Sequence, residues 1–169
     1  GLAMPSILPA LEWLEALAWA TAIRESNWGY PIMETAHVAS IVAFAGLVMV
    51  MDLRLVGLAF AKTPLTRIQR PLFPWQMAGF ALSGVTGLLL FVVDPLRYYG
   101  NVFFRVKLVL LALAGFNALA FHLTIFRTVG RWDEDPLAPT TARLAGAVSL
   151  LFWTAIIVSG RLIASNWFN

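Results

Sequence analysis

Two histidines, His37 and His122, are the only imidazoles in this chain, and no cysteine accompanies them. Thiolate metal sites, disulfides and iron–sulfur clusters are therefore excluded, and a metal centre must use His37, His122 or ligands from a second copy. Glu34 precedes His37 by three residues and shares its helical face, with Phe44 further along. A neutral imidazole in apolar sequence is an axial ligand for haem iron or copper, and a nearby carboxylate can orient its second nitrogen. The same pair also reads as an interfacial histidine bonded to Glu34 or to a loop carbonyl. Further on, Lys107, Leu111, Ala114, Ala118 and His122 fall on one broad helical face, where the alanines leave room for a groove. Lys107 and His122 are roughly 22 Å apart along a helix axis. His37 and Lys107 then belong near one membrane boundary and His122 near the other. One haem bridged by both histidines within a protomer does not fit that spacing; two haems, or one haem at His37 with a different second ligand, do. For His122 alone the other reading is a core histidine satisfied by Thr124 or a carbonyl.

Other ionisable groups complete the candidate chemistry. Arg105, Lys107 and Arg161 can converge with His37 and Glu34, and such a patch suits haem propionates at the membrane surface. Snorkelling side chains at helix ends explain the same cations without a ligand. Asp52 and Arg54, in MDLRLVG, read as an ion pair or a loop lock where the first span leaves the core, or else as part of a proton path. Met33, Met49 and Met51 raise copper, because thioethers favour Cu(I), but Met49 and Met51 point about 200° apart on a helix. Packing contacts are the simpler account of these methionines.

The elements that must position these residues are membrane spans. The chain is 60% hydrophobic and only 12% charged, with a mean hydropathy of +0.78, far too apolar for a soluble domain. A net charge of +3 does not point to nucleic acid, because the basic residues are scattered between apolar runs as flanking anchors. The pattern predicts an all-α, antiparallel four-helix bundle in one membrane domain, residues 1–169, with spans at about 32–60, 75–93, 102–126 and 142–164. Residues 5–29, with Trp13, Trp19, Trp28, Glu12 and Glu15, predict an amphipathic helix lying at the membrane interface. Gly79, Ser83 and Gly87 recur every fourth residue and predict a packing seam. The segment TVGRWDEDPLAPTT reads as a solvated loop.

Both ends of a four-span chain lie on one side of the membrane. Arg54, Lys62, Arg67, Arg70, Arg127, Arg131 and Arg143 fall on the opposite side, against Arg24, Arg97, Arg105, Lys107 and Arg161. The richer side is expected to be cytoplasmic, which puts both termini in the periplasm of a bacterial inner-membrane protein.

Two stretches carry a family resemblance. HVASIVAFAGLVMVMDLRL resembles the first span of small bacterial membrane families in which a histidine is followed by a small-Gly-Leu element and then an arginine, and FFRVKLVLLALAGFNAL resembles the Lys-Leu-x-Leu run of a later span. The pattern is similar to the haem-associated protoporphyrinogen oxidases of the HemJ type, to the membrane domain of CopD-like copper proteins, and to an uncharacterised bacterial four-span family with a DLRL element. It covers about half the chain. Asn117 stands about where the HemJ pattern has a later-span histidine, which sets the oxidase activity apart from the scaffold. The resemblance implies a four-helix scaffold holding b-type haem through His37, with Lys107 near the site. The resulting expectation is a cytochrome b-like protein that exchanges electrons with a quinone or a partner protein. In it His37 is the ligand, Glu34 its orienter, and Arg105, Lys107 and Arg161 the propionate contacts. A homo-oligomer can supply a second His37 on a symmetry axis. The alternatives are a cofactor-free subunit or small-solute channel, and a copper-handling protein.

Overall fold

The computed structural model describes residues 7–165, and every regular element in that range is helical. Two short helices, α1 (Leu8–Glu15) and α2 (Ala18–Glu25), precede α3 (Gly29–Val56) and α4 (Leu65–Val93). The short α5 (Pro95–Tyr99) leads to α6 (Val102–Leu123), a 3-10 turn (Phe126–Arg131) and α7 (Thr140–Ser165). Helices α3, α4, α6 and α7 are each long and apolar enough to cross a bilayer, the shortest having 22 residues. At about 1.5 Å per residue that one reaches roughly 33 Å. The protein is a multi-pass membrane protein built from four spans.

Local chemistry sets the ends of the spans. The first runs Gly29–Val56 instead of 32–60, because Gly57 takes a left-handed φ of 83° and caps it. The second begins at Leu65, ten residues before the expected Trp75, and carries Pro71 and Pro74 inside it. Both prolines are exposed in the first third of the helix. The Arg67 and Arg70 carbonyls they leave unbonded lie near the membrane boundary, where water can take their place. Asn101 starts the third, its side chain accepting from the Phe103 and Phe104 amides at 2.9 and 3.4 Å.

The expected interfacial helix, 5–29, is two helices folded back on the bundle, and residues 5 and 6 lie outside the described residues. Pro9 occupies the first turn of α1. Arg24 of α2 donates to the Val93 carbonyl at 2.6 Å and the Glu15 carbonyl at 3.1 Å, tying α1 and α2 to the end of α4. The rings of Trp13, Trp19 and Trp28 remain exposed at this end, where an aromatic belt meets the headgroups.

In the bundle, α3 packs on α4 and on α7, and α7 packs on α6. Helices α4 and α6 are not a packed pair, so a groove opens between them with α3 and α7 as its floor. On the floor α3 and α7 come close at Gly146, where a Cβ would stand 2.8 Å from Leu55 Cβ and 3.1 Å from the Asp52 carbonyl.

Two apolar clusters close the bundle. At one end Leu90, Tyr98 and Ile163 pack with Tyr30, Met33 and Phe104. The Tyr30 and Tyr98 hydroxyls are hydrogen-bonded there, and burial, with that bond, pushes the Tyr98 phenol well above its ordinary range. At the other end Met51, Leu55, Leu65, Phe121 and Trp132 form the second cluster. Trp132 is buried in it, so the polar loop after α6 is anchored and not simply solvated. Arg54, 0% exposed, completes the anchor by donating to the carbonyls of Thr63 at 2.7 Å, Asp135 at 2.8 Å and Asp133 at 3.2 Å. The Asp133 carboxylate in turn accepts from the Thr66 amide at 3.1 Å and hydroxyl at 2.5 Å. Of the sequence alternatives for Asp52 and Arg54, the loop lock describes Arg54. No ion pair joins the two among the described residues.

Candidate functional site

The groove between α4 and α6 has a volume of about 1680 Å³. Its walls are mainly apolar, including Phe80, Leu88, Leu111 and Trp153, and all of Glu34, His37, Arg105, Lys107, Arg161 and His122 line it. The stripe on α3 that faces it follows the helical repeat through Glu34, His37, Ile41, Phe44 and Val48.

His37 is held by α4. Its Nδ1 lies 3.0 Å from Thr86 Oγ1 and 3.1 Å from the Ser83 carbonyl. The Thr86 hydroxyl hydrogen is given to backbone, with Leu82 O at 2.7 Å, so Thr86 Oγ1 meets the imidazole as an acceptor. Both neighbours accept, which assigns the hydrogen to Nδ1 and the lone pair to Nε2. Lys107 Nζ donates to that lone pair from 3.4 Å. Glycine lets α4 come this close: a Cβ at Gly87 would stand 2.9 Å from His37 Cε1, and one at Gly79 would stand 3.2 Å from Phe44 Cβ. The Gly79, Ser83, Gly87 repeat is thus a packing seam that also seats the histidine.

The expected site residues separate into those brought together and those kept apart. His37 and Lys107 touch. No hydrogen bond joins Glu34 to His37 among the described residues; Ser83 and Thr86 orient the ring instead. Arg105 donates to the Tyr99 carbonyl at 3.0 Å and lies 5.0 Å over the Tyr99 ring. Arg161 is exposed at the groove mouth, next to Gly160, whose Cβ would stand 3.7 Å from Lys107 Nζ. His122 stands at the far end, edge-on to Phe121 and Phe126 with centroids 5.4 and 5.3 Å away. The methionines do not converge, since Met51 belongs to the cluster at the Arg54 end and Met33 to the other. Among the described residues no three His, Cys, Asp or Glu side chains form a metal-sized group.

Sequence reasoning missed Thr86 and Ser149, and read Ser83 only as part of the packing seam, not as the carbonyl that meets His37. Thr86 left a faint signal, a polar residue one step from the glycine seam. The Ser149 partnership with Asp52, Oγ to Oδ2 at 2.6 Å, spans 97 residues and left none.

Comparison of the chain with known protein families, with characterised proteins and with solved structures returns no match. The fold class therefore rests on the four spans and their packing.

Proposed function

We propose that this membrane protein is cytochrome b-like, binding haem b in the groove through His37 and passing electrons to or from a quinone or a partner protein. The observation that carries this reading is the pair of acceptors, Ser83 O and Thr86 Oγ1, within 3.1 Å of His37 Nδ1. With Nδ1–H given to Ser83 and Thr86, Nε2 offers its lone pair to the groove, the arrangement of an imidazole ligand oriented by its other nitrogen. The surroundings fit a flat amphipathic group. The groove is apolar, the glycine seam lets the ring sit flush on α4, and Lys107, Arg105 and Arg161 line the groove as candidate partners for two propionates. Ligation at Nε2 requires Lys107 to swing aside, which its flexible stem allows. Bound haem supplies one-electron redox chemistry; the chain supplies the imidazole, the cations and the exclusion of water. On this reading the membrane is a bacterial inner one, and the bias of basic residues supports an orientation with both termini periplasmic.

The Lys107–His37 contact also favours a second reading, a cofactor-free subunit whose groove is a polar-tipped vestibule, because Lys107 already satisfies Nε2. A reduced-minus-oxidised spectrum and a pyridine haemochrome assay on detergent-purified protein from haem-replete cells separate the two. The haem reading expects a stoichiometric b-type signal that is lost in His37→Ala. A colourless, iron-free protein, or a spectrum unchanged in that variant, overturns it.

A further inference from the structure

The end of the groove away from His37 gathers polar side chains from all four spans. Asp52 of α3, Gln76 of α4, Asn117 of α6 and Ser149 of α7 all line it. Ser149 Oγ donates to Asp52 Oδ2 at 2.6 Å. Gln76 Nε2 meets Leu47 O and Met51 Sδ, each at 3.2 Å. Asn117 Nδ2 donates to the Ala145 carbonyl at 3.1 Å, one helical turn from Ser149. Between this level and His37 stand the rings of Phe44, Phe80 and Trp153, with Phe44 5.7 and 5.2 Å from the other two centroids. The groove thus has two polar ends separated by an aromatic waist.

Asp52 is 5% exposed, and among the described residues no cation is paired with it. Arg54, on the same helix, spends its bonds on loop carbonyls. Arg143 of α7 donates to Thr140, Lys107 of α6 is at the His37 end, and α4 presents the neutral Gln76. The remaining titratable group on this part of the groove, His122, lies edge-on to two phenylalanines. An ionised carboxylate in such a setting has no fixed counter-charge, and the smallest mobile one is a proton.

We infer that Asp52, positioned by Ser149, is a proton-exchange site at this end of the groove. The O–H bond forms and breaks on the Asp52 carboxyl, no electrons move, and the proton passes to or from water or a groove occupant. The Ser149 hydroxyl holds Oδ2 in place throughout. The inference does not rest on haem and stands or falls separately from it.

Infrared difference spectra between acid and alkaline samples of the full chain, in H₂O and in D₂O, test it. The expected result is a protonated-carboxyl C=O band that appears on acidification, shifts in D₂O and, as for a carboxyl away from bulk water, lies apart in frequency from the bands of the other Asp and Glu side chains. Asp52→Asn should abolish it, and Ser149→Ala should move its frequency. A band that persists in Asp52→Asn, or no such band at any pH where the protein stays folded, overturns the inference. So does a carboxyl that fails to exchange in D₂O, since a sealed group serves only the fold. If Asp52→Asn does not fold, the Ser149→Ala shift and the wild-type exchange decide: an unmoved band counts against the site.

Discussion

Arg54 and Lys107 are both cations within the spans, and their surroundings treat them in opposite ways. Arg54 is fully enclosed and donates to three backbone carbonyls from two different loops. Among the described residues its Nη1 has no hydrogen-bond partner. Lys107 is half-buried beside an open groove, where its Nζ meets the imidazole of His37. A planar guanidinium with a rigid fork suits holding several carbonyls at once, whereas a point charge on a flexible stem suits a place that it must be able to leave. Arg54 therefore locks two loops together, whereas Lys107 keeps its charge available to the groove.

The sharpest break of that contrast is Arg54→Leu. It takes the donor from three partly buried carbonyls and replaces a fully enclosed side chain, so thermal or denaturant unfolding in detergent should show a loss of about 2–4 kcal/mol. Lys107→Leu should cost about 1 kcal/mol or less in the same assay. Equal losses would erase the distinction. Next in size is Gly146→Ala, whose methyl meets the α3 backbone and Leu55; overpacking should cost about 1–3 kcal/mol, and an unaltered midpoint would mean that α3 and α7 pack less tightly there. Thr86→Val leaves the fold nearly intact but removes an acceptor from Nδ1. On the haem reading, retention measured by haemochrome during dilution should fall about 10–100-fold; full retention would assign the tautomer to Ser83 alone. Smallest of all, Gly115→Ala meets no atom within 4 Å, because the groove is open at that point, and should raise the unfolding midpoint slightly, by about 0.4–1 kcal/mol of helix preference.

Much of this was readable in advance, for identifiable reasons. Hydrophobic runs of span length need no tertiary information, so four helices, their alternation and the termini on one side follow from the pattern. The seam at Gly79, Ser83 and Gly87 and the shared face from Lys107 to His122 follow from helical spacing. The start of α4 was misplaced because Pro71 and Pro74 ordinarily end helices, and only their position near the membrane boundary removes that penalty. The partner of His37 was misjudged because Glu34 is near in sequence, while Ser83 and Thr86 are near only after α4 docks.

The sequence by itself therefore determined that this is a four-span membrane protein with few ionisable groups inside it, because burying apolar length in lipid is a local, additive property. Only the tertiary structure decided which of those groups meet: His37 with Thr86 and Lys107, Asp52 with Ser149, Arg54 with two loops. Helix docking sets those contacts, and docking depends on where a missing side chain, as at Gly87 and Gly146, lets two backbones approach.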